Sequence, residues 1–277
     1  MNQIRGNLKC FYACIISMLT CLASVDASSE RADWAPFFEQ LKVEGTIVIY
    51  DERPGTEGLM TFNSVRAEKR FSPASTFKIP HTLFALDSEV IRDEFETVRW
   101  DGKKRANPEW DRDQDLRSAM RYSVVWVYQQ FAKEIGATKE RDYLKRIQYG
   151  NQDPSGKEPF WISGNLEISA HEQIKFLKRL YRNELPFTVA NQRLVKDLMI
   201  LEAGHDWILR GKAGWDGKVC WWVGWIEHAT GPVFFALNID TPNGTDDIPK
   251  REIITKTILN SIGALNLNVE PSAGGNG

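Results

Sequence analysis

Ser75 and Lys78 stand three residues apart in the stretch Ser72-Pro73-Ala74-Ser75-Thr76-Phe77-Lys78-Ile79-Pro80. On a helix that spacing puts both side chains on one face. A hydroxyl beside an amine is a nucleophile with a built-in base, provided the amine is neutral. Ser72 reads as a helix N-cap and Pro73 as the first helical residue, which places Ser75 in the first turn. There the backbone N–H groups and the positive end of the helix dipole favour negative charge. Lys78 is flanked by Phe77 and Ile79 and leads into His81-Thr82-Leu83-Phe84-Ala85-Leu86, a run that reads as buried. Burial disfavours the ammonium form. Pro80 falls where a helix interior resists it, against the Thr76 carbonyl, and local rule-breaking of this kind is expected at functional sites. Alone, S-x-x-K is a weak signal, because a capped helix with a solvated lysine has the same residues.

Two further pieces give the pair company. Ser123, in Ser123-Val124-Val125, follows Ser75 by 48 residues, and Lys212, in Lys212-Ala213-Gly214, follows it by 137. Ser123 offers a second hydroxyl, Lys212 a positive charge, and Gly214 a strand backbone that a ligand can approach closely. Each is ordinary alone; their order and separation carry the argument. The four histidines, His81, His171, His205 and His228, have neither zinc-ligand spacing nor the arrangement of a Ser-His-Asp triad, so no metal is expected.

The elements that must hold these residues can be read from patterning. Arg5 and Lys9, the apolar run Cys10–Ala23 and the small residues up to Ala27 read as an export signal at 1–27, too short for a comfortable membrane span. Its removal takes Cys10, Cys14 and Cys21, leaving Cys220 as a lone thiol. Between Val219 and Trp221 it reads as a small buried hydrophobe, with pairing between chains as the alternative. The mature chain of 250 residues carries 33 basic and 36 acidic residues, a net charge of −3 that offers no footprint for nucleic acid or an anionic membrane. Strands are expected at Gly45–Tyr50 and Leu59–Phe62, and again as a meander over Trp207–Trp215, Lys218–Glu227 and Val233–Ile239. A short helix precedes them around Trp34–Leu41 and another closes the chain at Ile248–Ile262. Ser75 to about Gly204 reads as mainly helical, with a capping box at Ser169 and Glu172 and an apolar stripe of Ile174, Leu177, Leu180 and Tyr181. The expected fold class is α/β (α+β): an antiparallel sheet built from both chain ends with flanking helices, plus an inserted all-helical lobe. One catalytic domain spans 28–277, with a sheet lobe at 28–74 and 205–277 and a helical lobe at 75–204; the tail from Pro271 reads as disordered. Ser75 falls at the seam between lobes, where ligand sites gather.

The combination of S-x-x-K, a second Ser motif and K-[TS]-G resembles the penicillin-recognising serine enzymes. Ser72 to Pro80, Ser123-Val124-Val125, Tyr149-Gly150-Asn151, Trp161 and the Trp215–Trp225 segment together resemble class D serine β-lactamases, the oxacillinase type, over essentially the whole mature chain. The resemblance implies a serine β-lactamase/DD-peptidase-like fold, export to the periplasm of a Gram-negative bacterium and a monomer or homodimer. It implies hydrolysis of β-lactam antibiotics, hence resistance: penicillins and oxacillin-type substrates, with cephalosporins as a further candidate class. It implies Ser75 as nucleophile through an acyl-enzyme, and Lys78, carboxylated by CO2 or bicarbonate, as general base, with no other cofactor. Val125 and Trp161 would line the carbamate pocket, the Trp161 indole N–H donating to the modified lysine. The backbone N–H groups of Ser75 and Trp215 would form the oxyanion hole. Ser123 would relay a proton to the ring nitrogen. Lys212, Ala213, Gly214, Trp215 and Arg251 would bind substrate, with Lys212 and Arg251 on its carboxylate. Ala213 departs from the family, which has Thr or Ser there; one lost hydrogen bond is worth about 1 kcal/mol. Glu158, the nearest carboxylate after Asn151, sits in Pro159-Phe160-Trp161, unlike the class A glutamate motif. A cell-wall transpeptidase or carboxypeptidase, or a penicillin sensor that stays acylated, would use the same acylating parts.

Overall fold

The computed structural model describes residues 29–56 and 58–265. The export signal, with Cys10, Cys14 and Cys21, and the tail from Pro271 lie outside the described residues. Seven strands, β1 (Ser29–Glu30), β2 (Gly45–Asp51), β3 (Leu59–Phe62), β4 (Ile200–Ala203), β5 (Trp207–Trp215), β6 (Val219–His228) and β7 (Gly231–Asp240), form one sheet in the order β1-β3-β2-β7-β6-β5-β4. Every ladder is antiparallel except the two-residue β1–β3 pairing, which is parallel. The central strands are apolar on both faces because both are covered. Alternation then sorts their side chains. Val48, Trp221, Val223, Trp225, Phe234 and Ala236 enter one core. Ile47, Ile49, Cys220, Trp222, Phe235 and Leu237 enter a second core on the opposite face.

The helices divide between those faces. Against the second core lie α1 (Ala35–Glu39) and, from the other end of the chain, a C-terminal helix over Lys250–Ser261. Between them in sequence come α2 (Ser64–Glu68), α3 (Lys78–Asp87), α4 (Leu116–Arg121), α5 (Val125–Ile135), α6 (Ala137–Ile147), α7 (Ala170–Tyr181) and α8 (Val189–Leu198), so the C-terminal helix is α9. Helix α7 packs on β2 and β7 and carries the others toward the first core. Its capping box is formed: Ser169 Oγ accepts from Glu172 N, and Glu172 Oε2 accepts from Ser169 N. Such a cap is worth about 1 kcal/mol. Burial of Ile174, Leu177 and Leu180 contributes about 1.5–3 kcal/mol each, so packing rather than capping holds this helix.

Three local readings change. The α-helix after Ser75 begins only at Lys78, preceded by a 3-10 turn over Ala74–Phe77. Pro80 is therefore the third residue of α3, where an absent N–H breaks no helical bond, and its position is not strained. Strand β4 occupies a stretch read as helical, so β5 is the second returning strand. Cys220 keeps its reading as a small buried hydrophobe: it is free and fully covered in the second core.

Candidate active site

The turn that carries Ser75 is fastened from three sides. Ser72 Oγ donates to the Trp161 carbonyl (2.9 Å) and accepts from Ala74 N (3.3 Å), a cap at one remove from the expected one. Trp221, on the central strand β6, donates its indole N–H to the Ser72 carbonyl at 2.8 Å. Thr76 Oγ1 donates to the Pro73 carbonyl and accepts from Gln173 Nε2 of α7 at 3.0 Å. These contacts hold Ala74 at a φ of +47°, a left-handed conformation that costs a non-glycine residue about 1 kcal/mol or more. Strand β5 presses on the same turn. A Cβ at Gly214 would sit 2.8 Å from the Pro73 carbonyl oxygen and 3.1 Å from the amide nitrogens of Ser75 and Thr76, so only glycine permits the approach.

Lys78 Nζ lies 2.9 Å from Ser75 Oγ, in hydrogen-bond contact. The lysine is fully buried, with Nζ 5.1 Å from the centre of the Tyr128 ring. Burial first, and then the positive charge of Lys212, push the amine well below its ordinary value. Burial thus favours the neutral form of Lys78, a base beside a hydroxyl. Trp161 is fully buried, stacked on Phe77 at 5.7 Å, and its Nε1 has no partner among the described residues. A buried donor left open is costly and fits an acidic or anionic group in this layer.

Ser123 sits in the bend between α4 and α5 at a φ of +55°, a second strained residue at the site. It accepts a hydrogen bond from Lys212 Nζ at 3.1 Å; the same amine donates to the Ala213 carbonyl. Burial, and then the charge of Arg251, bring Lys212 down to about 7. Ser75, Ser123, Lys212 and Gly214 share a cleft of about 1020 Å³. Ala213, Trp215, Val125 and Arg251 also line it. Arg251, at the start of α9, is mostly covered, and its buried Nε has no partner among the described residues. With Lys212 it forms a cationic wall suited to a carboxylate. Trp215 donates its indole N–H to Thr241 Oγ1 at 3.0 Å, which fixes its side chain away from the backbone at its own position.

Some residues escape the cleft. Trp161 does not line it; the adjacent Ile162 does. Tyr149-Gly150-Asn151 is architectural. Tyr149 is buried against Phe77 and Phe176, a Cβ on Gly150 would meet the Glu167 carbonyl, and Asn151 bridges to Asn165 and Glu167. Sequence reading missed Tyr128, which covers Lys78; its signal was the i+5 position after Ser123 on an apolar helix face. It also missed Gln173, a buried polar residue within the α7 stripe. Among the described residues no group of three or more His, Cys, Asp or Glu could hold a metal ion.

Comparison with known proteins shows the family of the chain. Residues 45–260 match the family model for the penicillin binding protein transpeptidase domain. The chain is 60% identical over 252 residues to the β-lactamase OXA-2 of Salmonella typhimurium, covering 91% of this chain and 92% of that protein. It is 62% identical over 237 residues to OXA-3 of Pseudomonas aeruginosa, covering 85% and 86%. The crystal structure of FUS-1 (OXA-85), a class D β-lactamase from Fusobacterium nucleatum, superposes with a TM-score of 0.81 at 36% identity, covering 86% of this chain and all of that one. This chain belongs to the class D β-lactamases, within the penicillin-binding-protein transpeptidase family.

Proposed function

We propose that this class D β-lactamase opens penicillins and oxacillin-type β-lactams through a Ser75 acyl-enzyme, with an N-carboxylated Lys78 as the base of both half-reactions. The observation that supports it most is the fully buried Lys78 amine 2.9 Å from Ser75 Oγ, where burial disfavours the ammonium form. Only a neutral amine reacts with CO2: the N–C bond forms, an N–H bond breaks and the proton leaves to solvent. The residues present fit a carboxylated lysine, since Trp161 Nε1 is an open donor in the same buried layer. The carboxylate so added would take the Ser75 proton in acylation, hand it on to the Lys212 amine that has given one up through Ser123, and so be free to take a water proton in deacylation. That last proton returns to Ser75 Oγ as the acyl C–O bond breaks.

The remaining steps use this chain's own groups. The substrate carboxylate docks on Lys212 and Arg251, which sets the lactam carbonyl over Ser75. Ser75 Oγ adds to that carbonyl carbon, and the oxyanion takes hydrogen bonds from the Ser75 and Trp215 backbone N–H groups. The ring C–N bond then breaks. Ser123 gives its proton to the departing nitrogen and regains one from Lys212, which at about 7 is poised to exchange it near neutral pH. The transpeptidase family as a whole shares the acylation half; turnover requires the water-activating half as well. The leader from Arg5 to Ala27 supports export, with the periplasm as the working compartment.

Mass spectrometry of the intact enzyme tests the nucleophile. In bicarbonate-depleted buffer at low pH the parent should gain the mass of one penicillin, on the peptide holding Ser75. Ser75→Ala should show neither adduct nor turnover; penicillin hydrolysis by Ser75→Ala near the parent rate would refute the assignment.

A further inference from the structure

His81 lies one turn along α3 from Lys78 and is unused by the chemistry above. It is fully buried, and its Nε2 is 2.7 Å from Oε1 of Glu140 on α6, itself 1% exposed. The imidazole packs on the rings around Lys78: Trp161 at 5.1 Å, Phe77 at 5.1 Å and Tyr128 at 5.7 Å between centres. Three buried polar atoms in this one layer, Trp161 Nε1, His81 Nδ1 and Glu140 Oε2, have no partner among the described residues. Glu140 also lines a separate cavity of about 340 Å³ beside Pro154 and Phe160.

Glu140 is the anomaly. Among the described residues the buried carboxylates are Asp51, Asp247 and Glu140. Arg53 pairs with Asp51 and Lys250 with Asp247, whereas the partner of Glu140 is a histidine. Glu140 reaches this layer through His81, and as paired it is not among the groups that shift Lys78. Released from the imidazole, a buried carboxylate there would threaten the site, because an opposite charge in low dielectric stabilises an ammonium ion and removes the free electron pair. The charged and titratable groups facing this layer are Lys78 and His81 on α3, Tyr128 on α5, Glu140 on α6 and, across the cleft, Lys212.

We propose that His81 is a positioning residue for Lys78: by holding Glu140 on the α6 side of the core it keeps the lysine amine open to carboxylation. The same bond braces the Tyr128 and Trp161 walls through the imidazole wedged between them. This inference rests on the carboxylated-lysine reading. It adds a second requirement to that reading, that the nearby acid be occupied.

The test is the bicarbonate concentration giving half-maximal penicillin turnover, measured with a melting curve for each variant. His81→Phe keeps the wedge and strands the carboxylate; half-saturation should rise about tenfold, the effect of a tenfold loss of neutral amine. KM should not change, and activity should return at saturating bicarbonate. His81→Gln retains an N–H donor and should stay near the parent, and Glu140→Gln, which removes the charge, should need no more bicarbonate than the parent. The double variant His81→Phe/Glu140→Leu should reverse most of the His81→Phe defect, since removing both partners strands nothing. A His81→Phe enzyme with parental bicarbonate dependence overturns the proposal, as does a double variant as impaired as His81→Phe. If the parent itself is fully active and indifferent to bicarbonate removal, the carboxylated-lysine reading falls and this inference with it. A responsive parent with unresponsive variants removes this inference alone.

Discussion

At the scale of single residues, the carboxylate clamp is the part most open to adjustment. Ala213 supplies only its carbonyl, to Lys212, where a hydroxyl would add a bond to the substrate. Ala213→Thr should lower KM for benzylpenicillin about fivefold with little change in kcat, as about 1 kcal/mol of binding shared by ground and transition states predicts. An unchanged KM would mean that Lys212 and Arg251 already satisfy the carboxylate. Lys212 makes a second prediction. With its free-enzyme value near 7, it is largely neutral at pH 8, and an anionic substrate should draw a proton onto it. Calorimetry with Ser75→Ala in buffers of different ionisation enthalpy should show net proton uptake on penicillin binding at pH 8 and little at pH 6. Equal uptake at both would contradict the assigned proton exchange. Ser75, Lys78, Ser123 and Lys212 were legible because their types and order are unusual together. Glu140 was not, since a glutamate in the polar-looking helix Ala137–Ile147 gives no sign of a histidine waiting 59 residues upstream.

At the scale of elements, strand β5 and the nucleophile turn are fitted to each other. Gly214→Ala should cost about 1–3 kcal/mol of stability through overpacking, seen as a lower Tm, and should depress kcat about tenfold more than core variants of matched stability do, because the Cβ displaces the turn bearing Ser75. Parental kcat and Tm together would show that β5 can retreat at no cost. The elements themselves were largely readable. Alternation marked β2 and the meander, and Ser169 with Glu172 marked α7. The start of α3 was not readable, because its 3-10 turn is imposed by Trp221, Gln173 and β5, all distant in sequence. Strand β4 was also missed; it is exposed and follows α8 almost directly, so no periodicity sets it apart.

At the scale of the whole molecule, the fold keeps two lysines buried against their preference. Both amines are held below their ordinary value of 10.5, Lys212 to about 7 and Lys78 well below it by its burial. Within that window the unfolded chain binds more protons than the native one, so stability should rise with pH from about 7 to about 10. Urea unfolding at pH 7 and pH 9 checks the sign: a higher midpoint at pH 7 would contradict it, and Lys212→Met should flatten the difference. No helix among the described residues is long and apolar enough to cross a membrane. The central claim, that a buried neutral Lys78 is carboxylated and acts as the base, has one direct measurement. Enzyme equilibrated with 13C-labelled bicarbonate should give a carbamate resonance that disappears in Lys78→Ala, weakens in Trp161→Phe and fades in step with activity as pH falls. Fully active enzyme with no such resonance would contradict the account and return the base role to the unmodified amine.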